Sequence, residues 1–378
     1  MKNVLVINYT NIFSGAECVL HDYLLDNHMH NIYIYTNDNE KILKNYLKVL
    51  PKDKIYVSKK MNIVSIRRKP IVALKNIIYN LYKINSIVKK NKIDVLYGNN
   101  TLDTVYLTMY KIFFNKEIKI ISHIHDILEQ NFYRNYIRWS NKWIDKFIVP
   151  SIATKISLEK CNISEKKIDV VYNGIDIGKY NVIRKKNNII QQKYNLLNKK
   201  IICIIGQICN RKRQDLFIKI INSLNKKRNN EYAGIIVGKV IEKDFFDKIK
   251  NEIKYPIIYI GEIKREELFE NIYSNIDVLL LLSDRDPLPT VILESMMHSV
   301  IVVARNVDGV NEIIKDKENG FLFDYNVNIP RIVDMLYEVT MLSDEKKEEI
   351  INKAKKTIND KFSIKKKKNI INELIENL

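Results

Sequence analysis

The chain has 378 residues, of which 46% are hydrophobic and 28% charged, so it can build two globular cores and is not a disordered sequence. Lys and Arg exceed Asp and Glu by 63 to 44, which gives a formal net charge of +19. No apolar run approaches the roughly 20 residues that cross a bilayer, and the first one, at 4–7, is too short for a signal peptide. The four cysteines have neither a CxxC nor a zinc-binding spacing, which is typical of reduced thiols in the cytoplasm.

The positive charge has more than one explanation. Nucleic acid, an anionic membrane surface and anionic small molecules all attract a basic protein. The sequence is also rich in Lys, Ile, Asn and Tyr, which is typical of an AT-rich coding genome, so compositional bias is an equal alternative to membrane attraction. No RNP-type motif or Cys/His knuckle is found, so we expect no nucleic-acid partner.

Short apolar strands alternate with amphipathic helices, which predicts an α/β fold with parallel sheets. In the first half, strands are predicted at 4–7, 32–35, 95–97, 118–121, 147–149 and 170–172. The helix after the first loop has an apolar face made of Val19, Leu20, Tyr23 and Leu24. A long helix at 71–90 has a predicted apolar face made of Leu74, Ile77, Ile78, Leu81, Tyr82 and Val88.

A second alternation of strands and helices follows a polar stretch. Strands are predicted at 201–205, 235–237, 257–260, 278–282 and 301–303. We therefore predict a Rossmann-like domain at 1–176, a linker at 177–198, a second Rossmann-like domain at 199–361, and a helix at 362–378 that can return to the first domain. The basic run 365–368 precedes this last amphipathic helix. Two doubly wound domains are expected to face each other across a ligand cleft at the carboxyl ends of their strands.

An acidic pair stands at the predicted start of a helix in the second half. Asp286 and Glu294 are separated by seven residues, and the helix is predicted to begin near Pro289 and Thr290. The free backbone amides of a helix N-terminus bind anions, and a carboxylate beside them can accept hydrogen bonds from ribose hydroxyls. This segment therefore predicts a nucleotide site.

Residues 283–320 resemble the acidic-x7-acidic signature of the family-4 retaining glycosyltransferases (glycosyl transferases group 1), which have the two-domain GT-B fold. The resemblance implies that Glu294 binds the ribose and that Asp286, a catalytic candidate, binds hydroxyls of the donor sugar. It also implies donor contacts from the backbone amides of Leu288, Thr290 and Val291. The segment departs from the signature in three respects: Asp286 replaces the usual Glu, Pro287 replaces a Gly, and Ser299 and Ile301 replace a later Gly and Pro.

Residues 206–215 are similar to the family's Gly-Arg-Leu-x-x-x-Lys-Gly-x-Asp stretch. The match implies that Lys212, with help from Arg211, neutralises the donor diphosphate, where negative charge develops during transfer. Gln207 stands where the family has an arginine, so one cation is missing.

Four further segments occur in the family's order. Residues 14–17 resemble its Gly-Gly-Ala-Glu turn, in which Gly15 lets the backbone approach the donor, although Ser14 replaces the first glycine. His125, the other catalytic candidate, matches a histidine near the donor sugar, and His123 is the competing assignment. Residues 173–176 match the Asn-Gly-Ile-Asp before the linker. The turn at 260–263, which ends at Ile263, matches a segment whose backbone holds the base.

The resemblance implies a metal-independent hexosyltransferase that needs no cofactor and uses a nucleotide-sugar donor. The sequence 284–286 has the letters of a metal-binding Asp-x-Asp motif, but its middle arginine suits sugar contact better. Residues 67–69 and the aromatic, basic stretch 132–143 suit an anionic membrane face and a glycan or lipid-linked acceptor in polysaccharide synthesis. The alternative is that these aromatic residues only pack a helix on its sheet. We expect a cytoplasmic location, with peripheral attachment to the inner face of the cell membrane.

Two alternative functions are compatible with the same fold. A nucleotide-sugar 2-epimerase would lack the patterns at 173–176 and 206–212. A non-catalytic sugar-nucleotide-binding or assembly module could carry the same departures from the signature. Titration with donor and a donor-hydrolysis assay would separate the module from the enzyme.

Overall fold

The structure is a computed structural model that describes residues 1–11, 13, 15–61, 69–180 and 188–378. Its residues divide into two compact units, the first made of Met1–Gly174 and Ile364–Leu378 and the second of Ile175–Ser363. The sequence places the corresponding boundary at 176. The residues predicted as a linker, 177–198, are grouped with the second unit, and 181–187 among them lie outside the described residues.

The described part of the first unit contains a seven-stranded parallel sheet with helices between its strands. The strands are β1 Asn3–Asn8, β2 Asn31–Asn37, β3 Ile55–Ser58, β4 Val95–Gly98, β5 Lys119–His123, β6 Lys146–Val149 and β7 Ile168–Val170. The helices are α1 Gly15–Leu24, α2 Glu40–Tyr46, α3 Pro70–Asn91, α4 Asp103–Phe113, α5 Asn131–Ser140 and α6 Ile152–Glu159.

The strand order β3-β2-β1-β4-β5-β6-β7 reverses direction between β1 and β4. Strand β1 lies between β2 and β4, and its Val4 is in register with Ile32 of β2 on one side and with Val95 of β4 on the other. Both faces of β1 are buried, since Leu5 and Ile7 belong to one core cluster and Val4 and Val6 to another, which is why its apolar residues form a continuous run and do not alternate with polar ones. The edge strand β3 was not predicted, because the apolar run 55–57 is only three residues long, although all three residues favour strands.

The long helix α3 buries a different face from the predicted one. Leu81 and Val88 are buried as expected, but Leu74, Ile78 and Tyr82 are exposed by 59%, 46% and 63%. The buried face is made of Ala73, Asn80, Leu81, Ile84, Ile87 and Val88. The prediction was wrong at three positions because apolar residues cover more of the helix than the neighbouring elements can bury.

The described part of the second unit repeats the architecture with a six-stranded parallel sheet. The strands are β8 Lys200–Ile205, β9 Tyr232–Val237, β10 Ile257–Gly261, β11 Val278–Leu281, β12 Ile301–Arg305 and β13 Phe321–Phe323. The helices are α7 Ile177–Tyr180, α8 Ile189–Lys193, α9 Gln214–Lys227, α10 Lys243–Ile249, α11 Arg265–Glu267, α12 Thr290–Met297, α13 Val310–Ile313, α14 Ile329–Thr340 and α15 Asp344–Lys361.

The order β10-β9-β8-β11-β12-β13 places the change of direction between β8 and β11. Phe217, Ile220 and Leu224 of α9 are fully buried in the core of this unit, as their helical spacing predicts. Ligands bind open sheets of this kind outside the carboxyl ends of the strands, where the order reverses.

The last helix, α16 Ile364–Glu376, packs on the first unit. Ile371 and Ile375 are buried in the same core cluster as Val4 and Tyr23. Tyr23 also donates a hydrogen bond to Asn372 Oδ1 at 2.9 Å. The basic run 365–368 lies inside this helix and not ahead of it, because its residues continue the helical turn that begins at Ile364.

Candidate functional site

The predicted donor residues of the second unit lie at the ends of two neighbouring strands. Strand β8 pairs with β11, although β9 and β10 come between them in sequence. The segment after β8 includes a 3-10 turn, Asn210–Lys212, and the segment after β11 carries Asp286. The sheet therefore brings Lys212 and Asp286 together across a separation of 74 residues.

Lys212 and Asp286 form an ion pair. Lys212 Nζ donates to Asp286 Oδ2 at 2.5 Å, and Ser283 Oγ donates to the same oxygen at 3.3 Å. The two charged side chains are only 14% and 9% exposed. A Cβ on Gly206 would lie 3.5 Å from Lys212 Cε, so the lysine stem passes closely over this glycine.

Asp308 holds the backbone of Asp286 in place. The Asp286 amide donates to the Asp308 carboxylate at 2.8 Å, and Gly309 N donates to Asp286 O at 3.3 Å. Arg285 Nε reaches both Asp308 oxygens, at 2.9 and 3.0 Å. Asp308 adopts a left-handed φ of 42°, a conformation that aspartate tolerates better than most side chains. Asp308 was not predicted, because no motif links the segment after β12 to the one after β11.

Asp284 connects further cations at this edge of the sheet. Arg305, which is buried, donates to Asp284 Oδ1 at 2.5 Å, and Arg213 donates to the same oxygen at 3.4 Å. The exposed Arg211 donates to Arg285 O at 2.8 Å. The predicted diphosphate ligands Arg211 and Lys212 therefore lie at the same edge of the second sheet. Arg211 contacts the backbone of Arg285, and Lys212 contacts the carboxylate of Asp286.

Glu294 lies in the second turn of α12 and is 5% exposed. Its Oε1 accepts hydrogen bonds from Arg265 Nε at 3.1 Å and Nη2 at 3.0 Å, and its Oε2 accepts from Tyr273 Oη at 3.0 Å. A carboxylate offers about four acceptor positions, so ribose hydroxyls could share it with these donors. Neither Arg265 nor Tyr273 was predicted, although Arg265 follows the predicted base-binding turn by two residues.

Tyr273 belongs to a stack of rings beside Glu294. Its ring centroid lies 4.9 Å from that of His298 and 5.9 Å from that of Phe269. His298 Nδ1 is 2.8 Å from the backbone oxygen of Glu294. Burial, followed by the charge of Glu294, raises the pKa of Tyr273 well above its ordinary value, so its hydroxyl stays protonated and donates to the carboxylate.

Helix α12 begins at Thr290, as predicted, with Pro289 before it. The amides of Thr290 and Val291 belong to the first turn, which has no acceptor inside its own helix. Leu288 is buried, and Ile263 is half-buried just after β10. The predicted backbone contacts thus lie at the carboxyl ends of β10 and β11, in the same unit as Lys212 and Glu294.

The first unit carries His125 just after β5. Its ring stacks on His123 with centroids 3.9 Å apart, and its Nε2 is 3.3 Å from Asn99 Oδ1. His123 is 1% exposed and its Nδ1 is 2.6 Å from Tyr97 Oη, whereas His125 is half-buried. His125 is therefore the more accessible of the two candidates, and His123 lies behind it.

Both histidines are neutral at neutral pH. Burial, and then the nearby charge of Lys367, lowers the pKa of His125 to about 3. Burial also holds the pKa of His123 well below its ordinary value, with smaller contributions from His125 and Lys367. Neutral imidazoles can donate or accept a hydrogen bond, so His125 can orient a hydroxyl without adding charge.

Lys367 of α16 was not singled out as a site residue. It is 2% exposed, whereas Lys365 and Lys366 beside it are exposed. In the part of the chain that the structure describes, its Nζ has no hydrogen-bond acceptor. Burial lowers the pKa of Lys367 to about 7, against a smaller opposing effect of Asp22.

Gly15 opens helix α1, and a Cβ built on it would meet no heavy atom of the described residues within 4 Å. Space beside this backbone is compatible with the predicted donor contact. Ser14, Arg67 and Arg68, which contribute to the predicted turn and basic segment, lie outside the described residues.

A cavity of about 480 Å³ opens at the same edge of the first unit. Its polar and aromatic lining includes Tyr9, Asn100, Asp126, Glu129, Gln130 and Tyr133. Hydroxyl-rich ligands suit such a lining, since amides and carboxylates bind hydroxyls and rings pack on sugar faces. Within the described residues, no group of three His, Cys, Asp or Glu side chains is arranged to hold a metal ion.

None of the helices in the described ranges is both long enough and apolar enough to span a membrane.

Comparison with known proteins identifies both halves of the chain. Residues 24–179 match the sequence model of Glycosyltransferase Family 4, and residues 185–357 match that of Glycosyl transferases group 1. An uncharacterized glycosyltransferase of Methanocaldococcus jannaschii is 26% identical over 224 residues, which is 57% of this chain and 56% of that protein.

Two further proteins resemble most or all of the chain. The UDP-Gal:alpha-D-GlcNAc-diphosphoundecaprenol alpha-1,3-galactosyltransferase of Escherichia coli is 22% identical, over 78% of each chain. The Anabaena protein HepE, crystallised with UDP and glucose, superposes with a TM-score of 0.83 at 17% identity over the full length of both chains. The chain therefore belongs to the glycosyl transferases group 1, glycosyltransferase family 4, and has the GT-B fold.

Proposed function

We propose that the protein transfers a hexose from a nucleotide-diphosphate sugar to a glycan or lipid-linked acceptor in cell-surface polysaccharide synthesis. The observation that carries this proposal is the meeting of Lys212 and Asp286 at the point where the second sheet reverses its strand order. A cation for a diphosphate and a carboxylate for sugar hydroxyls stand side by side where open sheets bind ligands. Glu294 on α12 supplies the second carboxylate that ribose recognition requires.

We infer that the reaction retains the anomeric configuration and needs no obligatory metal ion. Lys212 and the N-terminus of α12 would stabilise the charge that develops on the leaving diphosphate, in place of a cation. The acceptor hydroxyl would attack the anomeric carbon on the face from which the diphosphate departs. The leaving phosphate would take the proton of that hydroxyl as the bond between the anomeric carbon and the phosphate oxygen breaks. His125 is neutral and could orient a sugar hydroxyl during this step.

The cavity of the first unit supports a carbohydrate acceptor. Its amide, carboxylate and tyrosine groups match the hydroxyls and faces of a sugar. The E. coli relative is named for transfer to a sugar on diphosphoundecaprenol, which is consistent with a lipid-linked acceptor here. HepE was crystallised with UDP, which favours a uridine nucleotide as the first donor to test.

A screen of donors tests the proposal directly. Thermal shift with UDP-, GDP-, ADP- and CMP-sugars should show stabilisation by one nucleotide class, since a ligand that binds only the folded state raises its melting temperature. Stabilisation by none of them would contradict the donor site.

The second candidate is a non-catalytic sugar-nucleotide-binding or assembly module. Pro287 favours it, because it stands where the family has a glycine and removes an amide donor beside Asp286. Calorimetric titration with the stabilising donor, followed by a donor-hydrolysis assay, separates the two functions. A module would bind the donor without turnover, whereas the enzyme would release the nucleoside diphosphate.

A further inference from the structure

The Lys212–Asp286 pair places a negative charge directly beside the predicted diphosphate ligand. Lys212 has three N–H donors, and one of them is directed at Asp286 Oδ2 at 2.5 Å. A bound diphosphate would therefore share the ammonium with a carboxylate. Phosphate oxygens that reach the remaining N–H groups would come within a few ångströms of Asp286, where like charges repel.

Asp286 is held in place at three points. Asp286 is held through its amide by Asp308, through its carbonyl oxygen by Gly309, and through its carboxylate by Ser283. The Lys212 stem lies against Gly206. The carboxylate would therefore remain near the diphosphate, and the repulsion would persist in the bound state.

This repulsion acts differently on the donor and on the product. In an intact nucleotide sugar, the sugar covers one end of the diphosphate, and its hydroxyls can donate hydrogen bonds to Asp286. In the free nucleoside diphosphate, that end is a terminal phosphate with an additional negative charge and no sugar hydroxyl in front of it. The same carboxylate therefore helps to bind the donor and opposes binding of the product.

We propose that Asp286 makes the site selective for the intact nucleotide sugar over the free nucleoside diphosphate, so that the spent nucleotide leaves readily after transfer. The inference rests on the proposed function of this site. It assigns Asp286 a role in product release in addition to contact with the sugar.

Neutralising Asp286 tests this role. Calorimetric titration at fixed ionic strength would compare UDP, GDP and ADP, and the glucose conjugate of each, on the wild type and on Asp286→Asn. The diphosphate that binds the wild type should bind Asp286→Asn about tenfold more tightly, since one nearby like charge is removed. Binding of the conjugate should not tighten in parallel, because the variant loses an acceptor for sugar hydroxyls.

Two variants serve as controls. Asp286→Glu keeps the charge and should keep the weak diphosphate binding. Asp247→Asn makes the same change in net charge at an exposed carboxylate, which pairs with Lys250 at 2.7 Å on α10, and should change neither affinity. If Asp286→Asn does not fold, as judged by circular dichroism, Asp286→Ser removes the same charge with a smaller side chain.

The outcomes distinguish this inference from the proposed function. Unchanged or weaker diphosphate binding in a folded neutral variant overturns the inference alone. Equal tightening of the diphosphate and its glucose conjugate also overturns it, because selectivity would then be unaffected. Failure of the wild type to bind any of the three diphosphates or any of their glucose conjugates overturns the donor site itself, and the inference with it.

Discussion

Glu294 owes its position to two residues from the segment after β10. Arg265 binds one carboxylate oxygen and Tyr273 the other, so the side chain is fixed before any nucleotide arrives. A fixed acceptor loses little conformational entropy when ribose binds, which favours affinity. Tyr273 is completely buried, so its hydroxyl cannot be replaced by bulk water without rearrangement.

Removing the Tyr273 hydroxyl should weaken donor binding without abolishing it. Tyr273→Phe deprives a buried carboxylate oxygen of its donor, which costs about 1–3 kcal/mol. We expect both a lower melting temperature and a higher Kd for the donor, measured by thermal denaturation and calorimetry. Tyr255→Phe is the control, because Tyr255 is 61% exposed in the same unit. Wild-type donor affinity in Tyr273→Phe would show that Glu294 does not depend on this bond.

Lys212 and Glu294 should each be essential for transfer but not for folding. Lys212→Ala removes the charge that faces the leaving diphosphate, and Glu294→Ala removes the ribose acceptor. Loss of one such electrostatic contact typically lowers turnover by about a hundredfold or more. Transfer rates with radiolabelled donor, together with circular dichroism, measure both effects. Lys219→Ala, an exposed position on α9, should retain full activity. Wild-type rates in both site variants would contradict the assignment.

At the scale of elements, α16 completes the core of the first unit and also brings Lys367 into it. The helix buries Ile371 and Ile375 against the sheet, and this packing takes Lys367 out of water. The groups that act on Lys367 include Asp22 of α1, which favours its charged form. Lys367 in turn lowers the pKa of His123 and His125 after β5.

Burial of Lys367 predicts a specific pH dependence of stability. The pKa of Lys367 falls from 10.5 to about 7 on folding, so between these values the unfolded chain holds one proton more than the folded chain. Stability therefore rises with pH across this window, and the cost of the buried amine is complete below about pH 7. Over the whole window the change amounts to about 5 kcal/mol at most.

Lys367→Met should remove this cost. The variant should melt at a higher temperature than the wild type near pH 6, and the difference should shrink near pH 9.5, where the folded wild type has already lost its proton on Lys367. Scanning calorimetry at both pH values measures the change. Lys365→Met, at an exposed position of the same helix, should show no such dependence. An equal gain at both pH values would contradict the burial of a charged amine.

At the scale of the whole molecule, the charge of +19 and the exposed apolar residues of the first unit raise the question of a membrane surface. Leu74 and Tyr82 of α3 and Phe132 and Trp139 of α5 are all exposed by more than 40%. Tyr133 and Tyr136 pack against the core, so part of the aromatic stretch is structural. Basic residues beside exposed aromatic ones favour the interface of an anionic bilayer.

We therefore expect salt-sensitive binding to anionic vesicles. The protein should sediment with vesicles that contain phosphatidylglycerol at low salt and be released at high salt, since screening weakens the attraction. A variant with Tyr82→Ser and Trp139→Ser keeps the charge and should bind more weakly. Vesicles of phosphatidylcholine alone are the control. No sedimentation with anionic vesicles at low salt would leave compositional bias as the explanation of the charge.

The sequence by itself determined how strands and helices alternate along the chain and where α12 starts. Buried parallel strands such as β1 and β8 are continuous apolar runs, so their local pattern is enough to locate them. The same local signals also carried the family resemblance, because its motifs are contiguous in the chain. The edge strand β3 was not predicted, because a run of four residues is too short to stand out from a loop.

Only the tertiary structure decided which side chains act on one another. Tyr273 and Glu294, or Asp286 and Asp308, lie in different segments, and their contacts depend on how the sheet aligns those segments. The buried face of α3 and the burial of Lys367 were likewise set by neighbouring elements, which no periodicity in one helix encodes. Local sequence fixes backbone conformation, whereas long-range packing fixes the charges and hydrogen bonds on which a site depends.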